Sequence, residues 1–215
     1  VLSSDCSNVN LTNLQINGAD YNGIELYGDN SAGTDENILI SDCSFEECDR
    51  AILIKYLANA SVHNNTFQNI AEKGIELSSS DKIWIKNNNI TLNIASTNKK
   101  VAIDFINVEG VVLHDNRFMN GGLDFREGSN LAYFLTHQID VSNFLNGNPI
   151  YVYQSEKNLQ PSDFTDAGQI FLFNCTNSQI NSTHLENVNI GIYASDCDGI
   201  DINHVEIYNS SGSAI

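Results

Sequence analysis

Three carboxylates hold the same place in a recurring four-residue phrase. They are Glu76 in Gly74-Ile75-Glu76-Leu77, Asp104 in Ala102-Ile103-Asp104-Phe105 and Asp124 in Gly122-Leu123-Asp124-Phe125. Alternate side chains of a strand point to opposite faces, so the apolar residues of the phrase turn inward and the acid turns outward. If successive phrases stack as neighbouring strands, about 4.8 Å apart, the acids form an outward ladder on one sheet. Like charges so close raise one another's pKa or recruit a cation, and calcium is the one cofactor they imply. A carboxylate pair in a groove is also the equipment of glycoside hydrolysis, one group acting as acid and the other as base or nucleophile. Arg126, two residues beyond Asp124 on the same face, could neutralise a substrate carboxylate, and Arg117 could lie near the same groove. The catalytic candidates are therefore Glu76, Asp104, Asp124 and Arg126. The plainer explanation is a solvated acidic face, since outward strand positions are where acids go.

Aromatic side chains offer different chemistry, because a flat ring stacks on the apolar face of a sugar. Trp84, in Ile83-Trp84-Ile85, is outward by strand parity, unless residues 91–100 fold over it. Tyr151 and Tyr193, with Tyr153, are its candidate partners in carbohydrate binding. The five cysteines are Cys6, Cys43, Cys48, Cys175 and Cys197, and none forms a CxxC pair that would suggest zinc. Cys175 and Cys197 stand 22 residues apart at equivalent corners, so either a disulfide or two stacked thiols fits there, and Cys6 matches the same corner earlier. Cys43 and Cys48 flank a turn and pair only if it folds back. His63 and His114 share a corner, but Lys86 interrupts them, so no metal site is expected.

The elements that must position these residues are short strands in a repeat. An Ile-x-Ile-like strand with an Asn-rich tail recurs at Ile38–Phe45, Ala60–Phe67, Ile83–Ile90 and Val111–Phe118, and again from Ile180 and from Ile202. Ile40 to Val62 is 22 residues, Val62 to Ile85 is 23 and Ile180 to Ile202 is 22. The spacing predicts an all-β, single-stranded, right-handed parallel β-helix with coils of 22–23 residues and three short strands each. Asn65, Asn88 and Asn116 form one corner column, since Asn tolerates left-handed backbone and its amide can bond to the amide one coil away. The chain is expected to be a single β-helix domain over 1–215, with 126–168 as an irregular insertion region. Ile215 falls 23 residues after Ile192, which makes the sequence look like a fragment of a longer solenoid, with further coils as neighbours.

The formal net charge of -17 disfavours nucleic acid and anionic membranes as partners. No apolar run is long enough to span a membrane. Seven N-glycosylation sequons, beginning at Asn10, Asn59, Asn64, Asn89, Asn174, Asn181 and Asn209, fit a secreted glycoprotein.

From Gly147-Asn148-Pro149-Ile150-Tyr151-Val152-Tyr153 through Asp166–Asn177 to Ile190-Gly191-Ile192-Tyr193, the chain resembles the β-helix repeats of archaeal cell-surface and adhesin-like proteins. These belong to a wider carbohydrate-binding and sugar-hydrolase β-helix group that includes periplasmic copper-binding repeats. The resemblance implies a secreted or cell-surface location and a polysaccharide or surface-glycan partner. The copper property does not transfer, because the histidines do not converge. Pectate-lyase-like Arg-x-Pro-x-x-Arg and polygalacturonase-like Asn-Thr-Asp, Asp-Asp and Gly-His-Gly are also missing. The leading expectation is a surface module for glycan binding, adhesion or envelope structure. The alternative is a polysaccharide hydrolase, lyase or epimerase working through the acidic column.

Overall fold

A computed structural model describes residues 2–4, 7–28, 37–96, 98–126 and 130–215. Strands recur in threes along the chain. Leu2–Ser4, Asn22–Tyr27, Arg50–Lys55, Lys73–Ser78, Val101–Ile106 and Leu123–Phe125 pair in parallel as a first sheet. Asn10–Thr12, Ile38–Ser41, Ala58–His63, Asp81–Lys86, Val112–His114 and Gln138–Ile139 form the second. Gln15–Asn17, Ser44–Glu46, Thr66–Ile70, Asn89–Leu92, Arg117–Met119 and Phe144–Leu145 begin the third. This is the expected all-β right-handed parallel β-helix.

The period-2 pattern explains the register. Ile24, Ile52, Ile75, Ile103 and Leu123 align across five strands of the first sheet, and each is fully buried. Burying each such side chain favours folding by roughly 1.5–3 kcal/mol, and no single coil could enclose them alone. Rings stack from coil to coil, Phe45 on Phe67 at 4.8 Å and Phe105 on Phe125 at 4.6 Å. Gly74 has a steric cause, for a Cβ there would lie 2.7 Å from both the Ala102 carbonyl oxygen and Ile90 Cγ2.

The corner between the second and third sheets is held by the predicted asparagine column. Asn65 donates through Nδ2 to Asn88 Oδ1 at 3.0 Å, and Asn88 to Asn116 at 3.0 Å. The ladder runs one step further at each end. Asn116 Nδ2 donates to Asn143 Oδ1 at 2.9 Å, and the Cys43 amide donates to Asn65 Oδ1 at 2.9 Å. Each ladder Asn from 65 to 116 follows a residue with positive φ: Asn64 at 57°, Asn87 at 53° and Asp115 at 58°.

The direction of the stacked strands changes once along the described residues. Asn146 and Gly147, with φ of 53° and 88°, make a two-residue hairpin, the type I′ pattern that Asn-Gly favours. Asn148–Gln154 therefore runs antiparallel to Phe144–Leu145, and Gln169–Phe173 and Ile192–Ser195 follow in parallel with it. Gln179–Asn181 pairs with Asp201–Asn203, and His184–Glu186 with Glu206–Tyr208, to build a second stack. The irregular region expected over 126–168 also shrinks. Gln138–Ile139 and Phe144–Leu145 inside it are ordinary strands of the first stack.

Gln169 joins the two stacks. Its Oε1 accepts from the Leu123 amide at 2.9 Å, and its Nε2 donates to the Leu123 carbonyl at 2.8 Å. A side-chain amide thus does for the edge strand Leu123–Phe125 what a further strand would do. Asn189 adds bonds to the Gly122 amide at 2.9 Å and the Leu123 carbonyl at 2.8 Å.

Candidate functional site

The acidic column sits where the register predicted, with Glu76 beside Asp104 and Asp104 beside Asp124. Its surroundings differ from the solvated ladder expected. Glu76 is nearly buried, and Asp104 and Asp124 are buried. Basic side chains from neighbouring segments cover them. Lys73 Nζ lies 2.6 Å from Glu76 Oε2 and 2.7 Å from Asp104 Oδ2. Arg126 holds Asp104 with two guanidinium nitrogens, its Nε at 2.8 Å. Lys99 Nζ reaches Asp124 Oδ2 at 2.6 Å, and Arg50 approaches Glu76 at 3.6 Å and Glu72 at 3.3 Å. Hydrogen bonding to Asp104 holds the Arg126 guanidinium above its ordinary pKa, against the opposing effect of burial.

A recess of about 310 Å³ remains above the column, lined by Glu72, Lys73, Asn98, Lys99, Val101, Asp104, Asp124 and Arg126. Residues 98 and 99 roof it, since Asn98 Nδ2 donates to Glu72 at 2.9 Å beside the Lys99–Asp124 pair. The carboxylates that calcium would use are occupied by ammonium and guanidinium groups instead. Among the described residues no cluster of three His, Cys, Asp or Glu has metal-holding geometry. Arg117 is not part of this groove. It lies on the third sheet over the Phe144 ring at 4.3 Å, donating to the Ser142 carbonyl at 2.9 Å. The covering cations Lys73, Lys99 and Arg50 were missed in the sequence. Lys73 carried a usable signal, three residues before Glu76 and immediately ahead of its phrase.

Trp84 lies on the second sheet, away from the acids. Its position aligns with Ser61 in one direction and Val112 in the other, and the residue is 42% exposed. Of residues 91–100, the segment that might have folded over it, Asn98 and Lys99 turn to the acidic face instead. Asn37, Ile38, Leu39, Asn59 and Ser61 complete a shallow groove beside the indole. A flat ring flanked by amides and a hydroxyl suits a ligand with one apolar face and hydroxyls at its rim.

The tyrosines expected beside Trp84 are elsewhere. Tyr151 and Tyr153 stack at 6.0 Å and hold down the segment after them, donating to the carbonyls of Thr165 and Asp163, both at 2.9 Å. Tyr193 packs on Phe134, Phe171 and Phe173. These rings belong to the second stack, so Trp84, Tyr151 and Tyr193 do not form one platform.

Cys175 and Cys197 are stacked free thiols, the Cys175 amide donating to Cys197 Sγ at 3.3 Å. Cys43 and Cys48 are also free and buried, and Cys6 lies outside the described residues. Burial pushes the Cys43 and Cys175 thiols up, away from the reactive thiolate.

A family model described as a right-handed beta helix region matches residues 1–139. No curated protein and no solved structure matches the chain.

Proposed function

Because the chain belongs to the right-handed β-helix family, we propose that it is a non-catalytic, secreted or cell-surface module that binds a glycan through the Trp84 groove. The observation that carries this reading is a large aromatic ring left exposed on a rigid parallel sheet, with Asn37, Asn59 and Ser61 around it. Stacked coils fix the strand that carries the ring, so little ordering of the backbone is added on binding. Six of the seven sequon asparagines (Asn10, Asn64, Asn89, Asn174, Asn181 and Asn209) are exposed, which fits an extracellular setting.

The enzyme alternative has one observation in its favour, the placing of Asp104 and Asp124 beneath a roofed recess, with Glu76 next to Asp104 in the register. Their ion pairs weigh against it. An acid that must give or take a proton needs access to substrate, whereas Asp104 is fully buried and Asp124 is 2% exposed. The two readings separate in one experiment, in which the protein is screened against a panel of immobilised glycans and incubated with soluble polysaccharides. Binding without chain cleavage is expected, with Trp84→Ala weakening it at least about tenfold, roughly 1.4 kcal/mol. Cleavage that disappears in Asp104→Asn would establish the enzyme instead. Retention of full affinity by Trp84→Ala would remove the indole from the site.

A further inference from the structure

A second recess, of about 410 Å³, opens where the first stack meets the second. Its wall comes from both: Ile94, Lys100 and Asn120 from one, and Asn187, Asn209, Ser210 and Ser211 from the other. Neither stack alone makes the cavity. The Lys100 amide donates to Ser211 Oγ at 3.3 Å, which ties the rim across the seam.

The wall supplies a particular set of groups. Among the described residues Lys100 is its only charged residue, and its ammonium donates to the carbonyls of Ile94 and Ser96, each at 3.4 Å. Among the described residues no carboxylate pairs with it, although acids outnumber bases 27 to 10 in the chain. Asn209 Nδ2 donates to Asn187 Oδ1 at 3.3 Å, which leaves the Asn187 amide donors and the Asn209 carbonyl oxygen for a ligand. Asn120 Nδ2 is used on the Leu92 carbonyl at 3.1 Å, so its oxygen is likewise available. Ile94, 65% exposed, adds an apolar patch.

We propose that this seam is a binding site for a sugar unit bearing one carboxylate. Several fixed amide and hydroxyl groups match a polyhydroxylated ring, Ile94 matches its C–H face, and Lys100 matches a single negative charge. The volume falls in the range of small-ligand sites, about 300–1,000 Å³. A charge-assisted hydrogen bond to Lys100 discriminates the acid from its neutral parent. The site is separate from the Trp84 groove, and each stands or falls without the other.

The test is a titration of the ¹⁵N-labelled protein with glucuronate and galacturonate, with glucose and galactose as neutral controls. The acids are expected to shift the amides of Lys100, Asn187, Asn209 and Ser211, and to do so unchanged in Trp84→Ala. Lys100→Gln keeps the backbone bond to Ser211 and is expected to weaken the acids about fivefold to tenfold while leaving the neutral sugars unaffected. Raising salt to 1 M should weaken the acids in the wild type but not in Lys100→Gln. Absence of shifts at these amides, or equal affinity in wild type and Lys100→Gln, would overturn the proposal.

Discussion

Asn88 shows what a single side chain does in this molecule. It is 1% exposed, and its Oδ1 accepts from both the Asn65 amide and Asn65 Nδ2 at 3.0 Å. Its own Nδ2 satisfies the Val62 carbonyl at 2.9 Å and Asn116 Oδ1 at 3.0 Å. Truncation strands donors and acceptors on both neighbouring coils, each costing about 1–3 kcal/mol if water cannot reach it. Asn88→Ala should therefore lower stability by about 2–4 kcal/mol in denaturant titration, more than Asn64→Ala, whose side chain is exposed. His137 gives a prediction of another kind. It is 3% exposed, accepts from the Val111 amide through Nδ1 at 3.3 Å, and burial pushes its pKa down to about 4. The unfolded chain, with an ordinary value near 6.5, takes up its proton first. The contribution is complete above about pH 6.5 and disappears as pH falls toward 4, a loss of about 3 kcal/mol. His137→Phe should flatten that part of the pH–stability curve, while lowering stability at pH 7 by removing the acceptor for Val111. An unchanged slope would mean that other groups set it.

Among the elements, the two-residue hairpin at Asn146-Gly147 decides where the first stack ends. A Cβ on Gly147 meets nothing within 4 Å, so the cost of Gly147→Ala is that of its φ of +88° alone. That cost is about 1–2 kcal/mol, to be read from thermal denaturation, whereas Gly74→Ala should cost more because backbone and Ile90 must both move. The contrast also shows what sequence can reveal. Coils were legible because Ile52, Ile75 and Ile103 repeat the same phrase, and the Asn65–Asn88–Asn116 column because one residue type returns at one corner. The reversal was marked by Asn146-Gly147 between Phe144-Leu145 and Asn148-Pro149, but the repeat phrase resumes after it and hides the change of direction. The acidic column was legible as a column, and of its cover only Arg126 was. Lys99 comes from a loop and Arg50 from a strand two coils away from Asp104, and long flexible side chains fold back through contacts that no periodicity encodes. Trp84 was legible as exposed, because strand parity is local. Its separation from Tyr151 and Tyr193 depends on the hairpin and was lost with it.

At the scale of the whole molecule, a solenoid is held together by nearest-neighbour contacts, so its weakest interface decides where cooperativity breaks. Here that interface is the seam, where strand pairing narrows to the short antiparallel contact of Phe144 and Leu145 with Pro149 and Asn148, and side-chain amides hold the edge of the first sheet. Gln169 is fully buried there and makes bonds to both backbone groups of Leu123, to the Ile190 carbonyl at 2.9 Å and to Asn189. Gln169→Leu keeps the volume and removes every one of them, leaving the Leu123 amide without its acceptor while Asn189 still holds the Leu123 carbonyl. The expected result is a loss of about 2–4 kcal/mol by the same reasoning as for Asn88, with an unequal distribution along the chain. Hydrogen exchange should accelerate at Ile170 and Ile192 while protection at Ile75 and Ile85 persists, because the first stack keeps its own ladders. Calorimetry should then resolve two transitions where the wild type gives one. Uniform acceleration through both stacks would show that the seam couples them through packing of Phe125 against Phe171 and Phe173, at 4.8 and 5.4 Å, rather than through Gln169. The acid-sugar site depends on the same seam, so in Gln169→Leu its affinity should fall although no residue lining it has changed. Glycan binding at Trp84, deep in the first stack, should remain.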